Sequence, residues 1–219
     1  MRLATLTLRA SLGIALCLLT IAPAISANLT EGQNNLNDIS SNQAAPTPLT
    51  LTLGANSVIG NVNGSGGDSQ DWVAITVPAG FQMTSYVNAA YTSGDSQGFT
   101  GFQVGSSFAG SAFSAGSYAG YAHFGTGATN PSTPVSTVGV DLLPLMADPN
   151  VAASATGFSP PLSAGTYSFL IQQLGSSTNY EFDMNLSAVP EPGTLCLLGL
   201  GGLASLVPAV SRIRRKVQQ

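Results

Sequence analysis

The sequence predicts an all-β fold, an antiparallel β-sandwich of jelly-roll-like type, flanked by an N-terminal signal peptide and a C-terminal transmembrane helix. Three observations predict it. Short segments with apolar residues at every second position recur through the middle of the chain, which is the period of a strand with one buried face. Turns rich in glycine and serine separate them, and no convincing helical spacing appears between them. The two sustained apolar runs lie at the chain's two ends, where targeting segments are found.

The elements follow in chain order. Arg2 and Arg9 precede an apolar run over 10–21, Pro23 breaks it, and Ala24, Ser26 and Ala27 follow as small residues. This is the layout of a secretory signal peptide over 1–27, with cleavage expected after Ala27. The run is short for a retained anchor, and Leu16 before Cys17 argues against a lipoprotein signal. Residues 28–48, with their Asn, Gln and Ser and the Pro46, Thr47, Pro48 step, read as a polar linker. The expected ectodomain, 49–189, opens with Leu49, Leu51 and Leu53 alternating with threonine and glycine-flanked positions. A flexible loop over 63–68 leads into a strand over 71–77, where Val73, Ile75 and Val77 share one face.

Strands are next expected over 82–91 and 98–104, separated by Ser93, Gly94, Asp95 and Ser96. From 105 to 161 the chain is rich in Gly, Ser, Ala and Thr, with Phe108, Phe113, Tyr118, Tyr121 and Phe124 interspersed. Short strands with long, ordered loops fit this pattern better than a partly disordered insertion does. Tyr167, Phe169 and Ile171 then alternate, as do Tyr180, Phe182, Met184 and Leu186. The turn residues Gly175, Ser176 and Ser177 between these two segments predict a hairpin.

Charge is distributed unevenly. All six basic residues, Arg2, Arg9, Arg212, Arg214, Arg215 and Lys216, fall in the targeting segments. The whole-chain charge of −4 therefore conceals an exported region with nine carboxylates (Glu31, Asp38, Asp68, Asp71, Asp95, Asp141, Asp148, Glu181 and Asp183) and no Lys or Arg. Nucleic-acid binding needs cations against phosphates and is excluded. Stability must come from apolar burial and hydrogen bonds. Cys17 and Cys196 also fall in targeting segments, so disulfides, cysteine metal sites and a cysteine nucleophile are excluded from the domain. A single core of about 140 residues is large enough without them.

Few patterns point to catalysis. His123 is the lone histidine, in a strand-like segment without a nucleophile elbow, and nothing in sequence sets two carboxylates at glycosidase separation. Calcium suits the carboxylates better. Asp68 and Asp71 flank a carbonyl-rich loop, and Asp141 and Asp148 flank another, although both pairs also suit ordinary turn capping.

The C-terminal segment, 189–219, carries the most specific pattern. Val189, Pro190, Glu191, Pro192, Gly193 and Thr194 precede an uncharged stretch of eighteen residues from Thr194 to Ser211. At a helical rise of about 1.5 Å that stretch reaches roughly 27 Å, enough for a bilayer's hydrocarbon core. Arg212, Arg214, Arg215 and Lys216 in the tail 212–219 would hold the C-terminus in the cytoplasm. Pro208 introduces a kink that a membrane helix tolerates, and Gly201, Ser205 and Ala209 form a stripe of small residues on which another helix can pack. In order, motif, span and basic tail resemble the PEP-CTERM sorting signal of Gram-negative bacteria. The resemblance implies recognition by an exosortase, a membrane enzyme with a cysteine nucleophile, acting near Pro190, Glu191 and Pro192. The chain would be its substrate.

A second resemblance involves Leu49 to Leu51, Asp68 to Gly80, Leu162 to Tyr167 and Tyr180 to Phe182. These segments are similar to the bacterial pre-peptidase C-terminal domain, which implies a β-sandwich serving binding or secretion without catalysis of its own. The expectation is an exported cell-surface or extracellular-matrix protein, transiently held in the inner membrane, that meets extracellular polysaccharide and requires no cofactor. A calcium- or carbohydrate-binding module is the alternative, and a secreted hydrolase the second alternative.

Overall fold

Alternation along each strand decides which side chains meet, and in the computed structural model it assembles two open sheets around one core. Residues 26–33 and 36–190 are described. In chain order the strands are β1 (Asn28–Thr30), β2 (Thr47–Thr50), β3 (Gly54–Val62), β4 (Gln70–Val77), β5 (Phe81–Ser93), β6 (Gly98–Val104) and β7 (Gly120–Phe124). A small ribbon of β8 (Ala128–Thr129) and β9 (Pro134–Val135), a single-turn helix α1 (Leu143–Ala147), β10 (Gly165–Gln172) and β11 (Thr178–Ala188) complete them. One sheet has the order β1-β3-β11-β5, the other β2-β4-β10-β6-β7. Consecutive strands from β1 to β6 alternate between the sheets.

Two expectations on topology are corrected. The segments β10 and β11 do not form a hairpin, because β10 pairs with β4 and β6 while β11 pairs with β3 and β5 in the other sheet. Both strands bury an aromatic face, and the connection through Gly175 carries the chain across the core so that Phe169 and Phe182 both face inward. Pairing is also not wholly antiparallel. β1 runs parallel to β3, and β2 parallel to β4.

The expected linker 28–48 is part of the fold. Asn28–Thr30 forms β1, Ile39 is fully buried, and Leu29 and Leu36 pack against the core. Its polar residues are used structurally: Trp72 N donates to Ser40 O at 2.8 Å, and Ser40 N donates to the Thr47 hydroxyl at 2.9 Å. The alternation at Leu49 to Leu53 likewise covers a shorter strand than expected, since β2 ends at Thr50 and β3 restarts at Gly54. Gly54 takes a φ of 99°, a left-handed turn that glycine adopts without a Cβ penalty.

Aromatic rings dominate the space between the sheets. Tyr86 stacks on Phe182 at 4.5 Å and meets Phe169 of the opposite sheet at 5.0 Å, while Phe124 lies edge-on to Phe182 at 4.9 Å. The Tyr86 hydroxyl is matched to Thr100 at 3.2 Å, and the Thr100 hydroxyl donates to Leu170 O at 2.9 Å. Burying the rings costs little polar desolvation where the hydroxyls find such partners.

The five-stranded sheet is covered on its outer face as well. Trp72, Phe108, Ala112, Tyr118 and Leu170 form a second buried cluster there, so the glycine-rich region after β6 is an ordered cover whose rings pack onto the sheet. Gly101 makes this possible. A Cβ at that position would stand 2.7 Å from the Tyr118 ring, and its absence lets the tyrosine lie flat on the strand.

Candidate functional site

Two regions gather chemistry-bearing side chains. The first is an acidic corner at the end of the sheets where β1 gives way to its following loop. Glu31 is placed there by the β1–β3 pairing, and its Oε2 accepts from Asn61 N at 2.6 Å. Asp38 arrives from the loop before Ile39, and Asp68 from the turn preceding β4, where its Oδ1 accepts from the Ser41 hydroxyl at 3.0 Å. One carboxylate oxygen of each of the three lies within 4.8 Å of the others. Burial and the neighbouring charge of Asp38 raise the Glu31 and Asp68 pKa values, opposed by the bonds from Asn61 and Ser41 respectively.

Asp71 stands next to this corner, inside the sandwich. It is fully buried, shares the inward parity of Val73 and Ile75, and its Oδ2 accepts from the Tyr180 hydroxyl at 2.5 Å. Its other oxygen, Oδ1, is buried without a hydrogen-bond partner. Burial is the main cause that pushes its pKa up to about 8; the Tyr180 bond opposes the rise, and the charges of Asp68, Glu31 and Asp38 add to it. Gly60 leaves the Tyr180 hydroxyl its room, since a Cβ there would collide with that hydroxyl and stand 3.0 Å from Glu31 Oε2.

The second region is a pocket of about 330 Å³ on the outer face of the five-stranded sheet. Register builds its floor, because Gln172, Phe99 and His123 are cross-strand neighbours on β10, β6 and β7. Tyr121 adds a ring 5.6 Å from Phe99, and Phe113 and Leu174 stand at the rim, exposed by 74% and 59%. Gln172 Nε2 is a buried donor without a partner. The pocket is aromatic, has no carboxylate, Lys or Arg in its lining, and is floored by a buried donor without an acceptor.

The remaining sequence candidates are placed as follows. Asp141 Oδ1 accepts from Tyr86 N at 2.9 Å and from Leu143 N at 3.1 Å, so it fastens β5 and starts α1. Asp148 Oδ1 accepts from Asn150 N at 2.8 Å in a local turn. Neither joins the acidic corner. Asp68 does join it, together with Glu31 and Asp38, which sequence reasoning had assigned to a linker; the surplus of nine carboxylates without bases was the signal available for them. His123 Nδ1 lies 3.1 Å from the Thr129 carbonyl oxygen, and its backbone N donates to Asn130 Oδ1. The imidazole is held against its own strand's loop.

Ala27, the expected cleavage position, lies beside β3, where Ser57 N donates to its carbonyl at 3.1 Å. At the other end β11 closes at Ala188, and Val189 N donates to Gly80 O at 2.8 Å. Val189 and Pro190 are exposed. Glu191, Pro192, Gly193, Thr194, Arg212, Arg214, Arg215 and Lys216 lie outside the described residues, as do the expected span 194–211 and residues 1–25 of the signal peptide. Among the described residues no helix is long and apolar enough to cross a membrane.

Residues 188–215 match the PEP-CTERM protein-sorting motif. A search of curated proteins found no match to the chain. The matched segment begins at the residue where the last strand ends. The motif implies an exported protein recognised by an exosortase and held transiently in a membrane.

Proposed function

We propose that the domain ending at Ala188 is a non-catalytic adhesion or matrix component, a β-sandwich that binds extracellular polysaccharide once the C-terminal signal has been processed. The observation that carries this reading is the boundary itself. The last hydrogen bonds of β11 and Val189 are made before Pro190, so cutting near Pro190, Glu191 and Pro192 would remove the span and leave the sheets intact. A signal arranged this way delivers a finished fold.

The pocket beneath Phe113 and Leu174 supports polysaccharide as the ligand. Sugars offer apolar C–H faces to aromatic rings, and Phe99, Tyr121 and Phe113 line this pocket. The absence of Lys and Arg from the domain disfavours anionic ligands. The resemblance to the pre-peptidase C-terminal domain, itself a non-catalytic sandwich, agrees with this reading, as does the His123 Nδ1 contact to a backbone carbonyl in place of a carboxylate. The cytoplasmic side of the basic tail 212–219 and cleavage after Ala27 complete the proposed route.

Fractionation tests the route. In a host carrying an exosortase, the tagged wild type should appear at the surface or in the medium with a mature C-terminus near Pro190, and Glu191→Ala should accumulate intact in the inner membrane. Identical behaviour of the two, with the wild type intact in that membrane, sinks the sorting reading. Binding of released protein to insoluble polysaccharide tests the ligand: Phe113→Ser should weaken retention, and equal retention of both forms would remove the pocket from the account.

A further inference from the structure

The two ends of the sandwich differ in charge. One end is marked by the pairs Leu186 with Gly54 and Ala188 with Phe81 in one sheet, and Val77 with Gly165 and Tyr167 with Val104 in the other. The segments that form it, 51–54, 78–81, 104–107, 162–166 and 187–190, contain no Asp, Glu, His, Lys or Arg. Leu53, Val104 and Val189 stand there exposed by 42%, 69% and 43%. The opposite end, where Thr178 pairs with Val62 and Ser93, carries Asp95 in one turn and Asp68 in another, with Glu31 and Asp38 beside Asp68.

Strand β11 runs from one end to the other. Its eleven residues, Thr178–Ala188, cover about 33 Å at roughly 3.3 Å each. That distance is several screening lengths in physiological salt, at about 8 Å each. The chain leaves the fold at the uncharged end, where Val189 N donates to Gly80 O.

The length of chain beyond that bond decides what this end faces. The stretch expected to span the membrane starts at Thr194, so only Pro190, Glu191, Pro192 and Gly193 separate it from Val189. Those Cα steps reach at most about 18 Å when fully extended. The headgroup layer takes up roughly 6 Å of that reach. An anchored fold is therefore held within about 12 Å of the lipid surface, and by its uncharged end.

We propose that this end, with Leu53, Val104 and the turn 78–80, is a membrane-facing surface that rests against the lipid headgroups in the anchored precursor. The proposal rests on the sorting reading, since only an anchored chain is constrained in this way. A surface free of carboxylates can approach anionic lipid, whereas the end with Asp68 and Asp95 is repelled by it. Exposed apolar side chains gain by leaving water for the interfacial layer. So oriented, the fold keeps Pro190, Glu191 and Pro192 at the bilayer surface, within reach of a membrane enzyme, and turns the pocket at Leu174 outward.

The test uses the full chain, purified in detergent from an exporting host without an exosortase and reconstituted into vesicles whose lipids carry a headgroup quencher. In a Cys17→Ala, Cys196→Ala background, a fluorophore is attached through Ala79→Cys at the uncharged end or Thr92→Cys near the other, both exposed positions. In phosphatidylcholine vesicles, and in vesicles that also contain phosphatidylglycerol, the label at 79 should lose most of its emission and the label at 92 should keep it. Val104→Glu, at a side chain exposed enough to spare the fold, should restore emission at 79 in the anionic vesicles, and high salt should cancel that restoration. A chain that does not float with the vesicles would remove the anchor, and the sorting reading together with the proposal. A chain that floats but shows equal quenching of the two labels, or no effect of Val104→Glu, overturns the proposal alone; two unquenched labels would leave this end to the exosortase instead of the lipid.

Discussion

Replacing Phe108 with alanine isolates the outer cover of the five-stranded sheet. Phe108 is 3% exposed, with its ring 4.8 Å from Trp72 and 5.0 Å from Tyr118. Removing a buried phenylalanine costs about 3–5 kcal/mol in a closed core. Here the ring is roofed by a loop that can partly settle, so the lower figure of about 3 kcal/mol applies. For a domain of this size, Tm should fall by about 6–12 °C. The assay is unusually local, because Trp72 is the single tryptophan of the chain and is fully buried. With Phe108 gone, its emission should move to the red and its quenching by acrylamide should rise, before any global unfolding. Phe113→Ala, in the same loop but 74% exposed, should change neither. If Phe108→Ala lowers Tm while Trp72 emission and quenching stay as in the wild type, the loop is not what shields the indole and the two-faced burial of the sheet is wrong.

Two further outcomes follow from buried polar groups. Thr100→Val should destabilise by about 1–3 kcal/mol, because the Tyr86 hydroxyl loses its partner inside the core; adding Tyr86→Phe should recover part of the loss, and an additive double-mutant cycle would contradict the coupling. For Asp71, burial lifts the folded-state pKa from 3.8 to about 8. The folded protein therefore binds the extra proton between those values, so stability is highest at low pH, declines as pH rises and levels off above about 8. At about 1.4 kcal/mol per pH unit the whole interval amounts to at most about 6 kcal/mol. Asp71→Asn should flatten the Tm profile between pH 5 and 8 and stabilise the protein at the alkaline end; a variant with the wild-type slope would show that Asp71 is not the titrating group.

The strands β4, β6, β10 and β11 were legible because Val73, Ile75 and Val77, or Phe182, Met184 and Leu186, recur at every second position and share the core-facing side of their sheets. The sheet to which each strand belongs was not. A short turn at Gly175 to Ser177 serves a hairpin or a crossing between sheets equally well, and only the packing of Phe169 against Phe102 and Tyr86 separates the two. The N-terminal segment was misread for a related reason. Ile39 is one apolar residue among Asn, Gln and Ser, and its segment is held by hydrogen bonds, Trp72 N donating to Ser40 O and Ser40 N to the Thr47 hydroxyl, that leave no periodic trace. The acidic corner followed the same rule: its carboxylates lie up to 37 positions apart in sequence, between Glu31 and Asp68, and Glu31 is brought there by the parallel pairing of β1 with β3.

The place of β11 bears on what happens when such a protein is pulled. It is the strand that leads directly into the matched segment 188–215, and it runs between β3 and β5, antiparallel to both. Bonds across antiparallel strands lie perpendicular to the strand axis. A force applied through the C-terminus along that axis would load both ladders in shear at once, so that many bonds must fail together instead of peeling one at a time from an edge. Tethered at this end, the domain would yield slowly under flow, its endurance set by an unfolding rate more than by its equilibrium stability.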